Sequence, residues 1–122
     1  MSNDVMRPHE GWFRRAETKV QEPYDKANEQ GITFAQEARR LRERNDLAKA
    51  DATFVKAASY LRKASEIEPS LHYAHFNLGV ILLEQSALVR ARLEPERALA
   101  LLDDAEAQFQ KALLKQLEGK IS

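Results

Sequence analysis

The stretch that decides the fold is residues 70–84, whose sequence is SLHYAHFNLGVILLE. It predicts a largely apolar helix, yet Gly79 lies in its middle, directly after Leu78. Glycine in a helix interior costs roughly 1 kcal/mol relative to alanine. We expect a second helix to pack against Gly79 too closely for a side chain, because such a contact would offset that cost.

The rest of the chain also predicts helices. β-branched residues are few and do not alternate with polar residues, whereas good helix formers dominate. We expect helices at residues 9–21, from Thr33 to about residue 47, and over 50–67, 71–91 and 95–118. Breaks between these helices are predicted at Pro23 and Gly31, at Asn45 and Asp46, at Pro69, and at residues 91–95, and Gly119 is expected to end the last helix. Ser70 is the predicted cap of the helix that follows Pro69. The fold class is therefore all-α, with five or six helices.

Small and large apolar residues recur in the same order in two of these helices. The first set is Ala57, Leu61 and Ala64, followed by Pro69, and the second is Ala105, Phe109 and Ala112. Ala74, Leu78 and Gly79 lie between the two sets. This order resembles the tetratricopeptide repeat family, whose unit of about 34 residues has a Leu-Gly pair, an Ala-x-x-x-Phe pattern and a proline near its end.

The resemblance implies one domain over residues 1–122, in which antiparallel helical hairpins stack as a short α-solenoid. The first repeat would span 33–69, with Asn45 where its glycine would fall, and the second would span 70–118. Residues 1–31 are either a capping helix carrying Trp12 and Phe13 or a degenerate half-repeat. Gly79 and Ala105 are farther apart than in an ordinary repeat by about four helical turns, so we expect an elongated second hairpin with its tip at 91–95.

The resemblance also implies a function, since related proteins bind a peptide or partner segment in a groove lined by the first helix of each repeat. The chain would then be a protein–protein interaction module, such as an adaptor, scaffold or chaperone-like subunit. Asn77 matches an asparagine that grips the ligand backbone in many family members. The expected binding residues are Tyr73, Phe76, Asn77, Val80, Leu83 and Glu84, with Arg39 and Arg42 from the first repeat. Alternatively, Tyr73, Phe76 and Val80 only pack against neighbouring helices.

The final helix suggests a second possibility. Only the short sequence EGKIS follows it, so several leucines are expected on an uncovered face, and a sizeable apolar patch usually marks an interface. The alternative function is therefore a structural protein that self-associates through Leu101, Leu113, Leu114 and Leu117.

Composition excludes several other functions. The chain has 19 Lys and Arg against 19 Asp and Glu, and this zero net charge argues against binding to nucleic acid or an anionic membrane. The basic run at 39–44 lies in a helix of mixed charge. The chain has no cysteine, and its N-terminal residues carry no apolar stretch typical of a signal peptide or membrane span. We therefore expect a cytoplasmic protein.

Candidate chemistry is sparse. His72 and His75 have a spacing that could share a metal ion, but no third ligand is evident, so we expect packing or surface roles. Asp103, Asp104 and Glu106 form an acidic cluster that is expected to be solvated. No glycine-rich phosphate loop or activated serine is found. The sequence therefore predicts no enzyme, cofactor or metal.

Overall fold

The computed structural model describes the backbone of residues 18–121 and the side chains of residues 22–119. This part of the chain forms four helices: α1 (Thr18–Glu43), α2 (Leu47–Ile67), α3 (His72–Ala91) and α4 (Pro95–Ile121). Helix α1 packs along α2, and α3 along α4, so the helices form two hairpins. The hairpins meet mainly where α2 packs against α3. The prediction of an all-α fold built from helical hairpins is confirmed.

The two hairpins repeat one another at an offset of 48 residues. Their first helices end at residues 43 and 91, and their second helices begin at 47 and 95. At the tips, Asn45 and Leu93 are both left-handed, with φ of 62° and 65°. The amide of Asn45 donates to the carbonyl of Arg42, and that of Leu93 donates to Arg90, both at 2.9 Å. The second hairpin is elongated as predicted, and the first hairpin shares the elongation.

Gly31 and Gly79 are equivalent in this repeat, and each lies beneath a side chain of its hairpin's second helix. A Cβ atom on Gly79 would lie 2.8 Å from the ring of Phe109, and one on Gly31 would lie 2.6 Å from Cγ of Leu61. The close helix contact predicted at Gly79 is therefore confirmed. The prediction that Asn45 takes the glycine position of the first hairpin is wrong, because Gly31 occupies it.

Helix α1 runs without interruption through Pro23 and Gly31, so the predicted break there and the cap at Thr33 are wrong. Pro23 lies in the second turn of α1, where its ring removes a single backbone hydrogen bond. Gly31 does not have the positive φ of a helix-ending glycine. It is required instead for the close approach of Leu61.

The remaining helix ends agree in part with those predicted from the sequence. The predicted breaks at Asn45 and at residues 91–95 are confirmed, whereas α2 begins earlier than predicted, at Leu47. Ser70 does not cap α3, because Leu71 is the capping residue and the Ser70 hydroxyl donates to the Glu68 carboxylate at 2.8 Å. Gly119 does not end α4, which continues to Ile121. Most of the helix predicted at 9–21, with Trp12 and Phe13, lies outside the described residues.

The main core lies between the hairpins. Its largest fully buried side chains are Phe54 and Leu61 of α2 and Leu78 and Val89 of α3. A smaller apolar cluster joins α1, α2 and α3 through Tyr24, Ala27, Ala64 and Ala74. Burial raises the pKa of Tyr24 to about 12.

A buried carboxylate also joins the hairpins. Asp51 of α2 is 4% exposed and accepts hydrogen bonds from Gln85 of α3 at 2.8 Å, from Arg92 at the second tip at 2.8 Å, and from both terminal nitrogens of Arg97 of α4. Burial alone would raise the pKa of Asp51. The hydrogen bonds from Arg97 and Gln85 and the two positive charges outweigh burial and hold that pKa below its usual value. Asp51 thus fixes the second hairpin against the first.

Candidate apolar interface

The second hairpin exposes a row of large apolar side chains, which we call the open face. It comprises Phe76 and Leu83 of α3 and Leu99, Leu102, Leu113 and Leu117 of α4, with the partly buried Phe109 between them. Phe76 is 51% exposed and Leu113 is 57% exposed. The rings of Phe76 and Phe109 meet edge to face with centroids 5.7 Å apart, which joins the contributions of the two helices.

Two adjoining hollows run along the open face. The first has a volume of about 370 Å³ and is lined by Leu83, Leu102, Phe109 and Leu113, with Glu106 and Gln110 as its polar edge. The second has a volume of about 380 Å³ and shares Leu83 and Leu102 with the first. It extends towards the hairpin tip and is bordered by Arg42 and Arg90, and by Glu84, whose carboxylate is already paired with Arg39. Together they form a groove with an apolar floor and a basic end.

The repeat explains why this face is uncovered. Phe54 and Leu61 of α2 are buried in the contact with the second hairpin, and their equivalents 48 residues later are Leu102 and Phe109. Ala35 of α1 is also buried, and its equivalent is the exposed Leu83. The open face is therefore the surface on which a third unit would pack.

The opposite end of the stack is polar. Four exposed residues of α1 are equivalent to residues of α3 that are buried, and these four are Lys26, Gln30, Thr33 and Glu37. Their equivalents are Ala74, Leu78, Ile81 and Gln85. The described part of the molecule therefore has one polar and one apolar end, which is the arrangement of a helical array closed at only one end.

The predicted groove residues divide into two groups. Phe76 and Leu83 lie on the open face, Tyr73 is exposed and Val80 is half-buried on the same helix. The polar members already have partners within the fold. The Arg39 guanidinium pairs with the Glu84 carboxylate at 2.9 Å, and the Asn77 amide donates to Asn28 at 3.4 Å. These polar contacts join α1 to α3.

Arg42 and Arg90 behave differently from Arg39. Both border the second hollow, and neither side chain makes a hydrogen bond or ion pair with any residue that the structure describes. They are equivalent positions in the repeat, since both lie three residues before the left-handed tip residue. Two guanidinium groups with no partner in the described part of the chain thus stand at one end of an apolar groove.

Of the predicted self-association residues, Leu113 and Leu117 lie on the open face, and Leu114 is exposed beside it. Leu101 instead packs against the main core. Leu99, Leu102 and the partly buried Phe109 also belong to the open face and were not predicted from the sequence. Their spacing with Leu113 and Leu117 follows one face of a helix, which could have revealed them.

His72 and His75 have separate environments. His75 is buried, with Nδ1 3.1 Å from the Gln108 side-chain oxygen, whereas the ring of His72 contacts Tyr73. Among the described residues, no three His, Asp or Glu side chains are grouped so as to hold a metal ion. In the acidic cluster, Asp104 pairs with Arg62 at 3.0 Å, while Asp103 and Glu106 are exposed.

No helix within residues 18–121 is both long and apolar enough to cross a lipid bilayer. Comparison of the chain with protein-family models, with curated proteins and with solved structures found no match.

Proposed function

We propose that this protein is a protein–protein interaction module that binds a partner peptide or helix on its second hairpin. The observation that carries the proposal is the open face, a groove with an apolar floor at the end of the described stack that lies opposite the polar end. Resemblance of the sequence to tetratricopeptide repeats is consistent with an adaptor, scaffold or chaperone-like role in the cytoplasm.

The size of the open face supports this function. Its half-exposed side chains present on the order of a few hundred Å² of apolar surface. The largest apolar patch on a monomer typically covers about 300–600 Å² and is often functional. Leu83 and Leu102 lie at the centre of the groove, where the residues that dominate binding energy are usually found.

A photo-crosslinking amino acid placed at Leu113, in the cells that contain the protein, tests this function. The matched control is the same amino acid at Val55, which is 50% exposed on α2 and therefore similarly accessible. We expect a discrete cross-linked protein from position 113 and none from position 55. The same products from both positions, or none from either, would contradict the proposal.

Self-association is the second candidate, and the exposure of Leu113 and Leu117 on the open face favours it. The polar opposite end of the described stack then limits how two copies could pair. Head-to-tail stacking would bury Lys26 and Glu37 of one copy against the leucines of another, which carries a desolvation penalty. Two copies would therefore pair their open faces about a two-fold axis and stop at a dimer. In the crosslinking experiment this candidate gives a product of twice the 13.9 kDa chain mass. Light scattering over a concentration series provides an independent measurement.

A further inference from the structure

We infer that the open face binds one amphipathic helix whose apolar stripe ends in an acidic residue placed against Arg90. This inference rests on the proposed function and adds the shape, pattern and charge of the partner. It follows from the 48-residue repeat, because the first hairpin already has a helix, α3, on the equivalent surface.

Helix α3 therefore serves as the template for the shape of the partner. Leu78, Ile81 and Leu82 of α3 are buried in the core cluster that contains Phe54 and Leu61 of α2. A helix on the open face would place three apolar side chains of the same spacing over Leu102 and Phe109, the equivalents of Phe54 and Leu61. The groove also has the length of a helix, since it extends along α4 from Leu113 to Ala98.

The differences between the two hairpins define how the partner departs from α3. Asn77 and Gln85 of α3 face Asn28 and Asp51 of the first hairpin. The equivalents of Asn28 and Asp51 on the open face are Phe76 and Leu99, both exposed and apolar. The partner therefore requires apolar residues at the positions that correspond to 77 and 85, because an amide there would be buried without a hydrogen-bond partner.

Charge complementarity sets the end of the apolar stripe. In the first interface the acidic residue of the docked helix, Glu84, pairs with Arg39 of α1. The equivalent of Arg39 on the open face is Ala87, and the unpaired guanidinium lies one turn farther along α3, at Arg90. On the partner helix, numbered as α3, we therefore place the acidic residue one turn after the position of Glu84, at position 87. Arg42 borders the same hollow and adds to the positive charge there.

The test uses two synthetic peptides of the length of α3 in an alanine and glutamine background. Both carry leucine at the positions that correspond to 77, 78, 81, 82 and 85, and they differ only in glutamate or lysine at the position that corresponds to 87. Fluorescence anisotropy measures their binding to the full chain, to Arg90→Glu and to Arg44→Glu. Arg44 is an exposed arginine at the other tip and controls for the change in net charge.

We expect the full chain to bind the glutamate peptide about tenfold more tightly than the lysine peptide, a difference typical of a partly desolvated charge pair. Arg90→Glu should reverse this preference, Arg44→Glu should leave it unchanged, and Leu102→Glu, checked for folding by circular dichroism, should abolish binding of both peptides. Equal binding of the two peptides, no binding by the full chain, or binding that survives Leu102→Glu would overturn the inference. A dimer that excludes the peptide would also overturn it and assign the face to a second copy. Position-specific crosslinking at Leu113 with no effect of peptide charge would leave the proposed function standing and remove only this inference.

Discussion

At the scale of a single residue, the contact between Gly79 and Phe109 determines how closely α3 and α4 pack. A Cβ atom on Gly79 would lie within 2.8–3.0 Å of three atoms of the Phe109 ring, and a planar ring cannot move aside as the end of a flexible side chain can. We expect Gly79→Leu to lower the free energy of unfolding by about 1–3 kcal/mol, the usual cost of overpacking a core. Urea denaturation followed by circular dichroism measures this loss.

Gly119 provides the matched control, because it is also a helical glycine but has no atom within 4 Å of an added Cβ. Gly119→Leu is expected to change stability by no more than about 0.5 kcal/mol, as for other surface substitutions. An unchanged urea midpoint for Gly79→Leu, or an equal loss in both variants, would show that the close contact is not what constrains residue 79.

At the scale of the helices, the sequence predicted those ends that have a local signal. Asn45 readily adopts a left-handed conformation, and Pro95 fits the first turn of a helix, so both tips were found. Pro23 and Gly31 gave the same kind of signal and were misleading. Whether a glycine ends a helix or allows a neighbour to approach depends on Leu61, which is 30 positions away in the sequence. Tertiary contacts of this kind are not visible in a local pattern.

The hydrogen bonds that join Asp51 to the second hairpin were not predicted from the sequence. Its partners Gln85, Arg92 and Arg97 are at least 34 residues away, so no local spacing brings them together. We expect Asp51→Asn to destabilise the fold by about 1–3 kcal/mol at neutral pH, because charged hydrogen bonds are lost in a buried site. Thermal unfolding measures the loss, and Glu37→Gln is the control. Glu37 forms an exposed pair with Arg40, and breaking it should cost no more than about 0.5 kcal/mol.

Because folding lowers the pKa of Asp51, we expect the protein to lose stability in acid. The folded protein holds the pKa of Asp51 below 3.8, mainly because the bonds from Arg97 and Gln85 outweigh burial. A carboxyl group whose pKa is lowered by folding stabilises the protein above its ordinary pKa, and that contribution disappears as the pH falls below it. The stability difference between wild type and Asp51→Asn should therefore shrink below about pH 4. A difference that stays constant from pH 7 to pH 2 would contradict the assignment.

At the scale of the whole molecule, the open face was only partly predictable. Uncovered leucines were predicted on the final helix, and Leu113 and Leu117 are indeed exposed. The sequence could not show that Arg39, Asn77 and Glu84 are paired within the fold, because their contacts join different hairpins. It also could not separate Arg42, which has no such partner within residues 18–121, from Arg39, three positions earlier in the same basic run.

The two hairpins should depend on each other for folding. Phe54 and Leu61 of α2 are fully buried in the cluster that contains Leu78 of α3. The described partners of the Asp51 carboxylate all belong to the second hairpin. A fragment of residues 1–69 would expose these apolar side chains and leave that carboxylate without its partners. In repeat proteins the contact between neighbouring units supplies much of the stability.

We therefore expect the 1–69 fragment to show no cooperative thermal transition by circular dichroism, and an equimolar mixture with a 70–122 fragment to recover one. The mixture serves as the control, since it restores the contact between α2 and α3 without restoring the covalent link. A cooperative transition in the 1–69 fragment alone would show that one hairpin carries its own core. In that case the hairpins would be two independent units that dock on each other. The comparison of the open face with the buried surface of the first hairpin would then no longer indicate that the open face needs a partner.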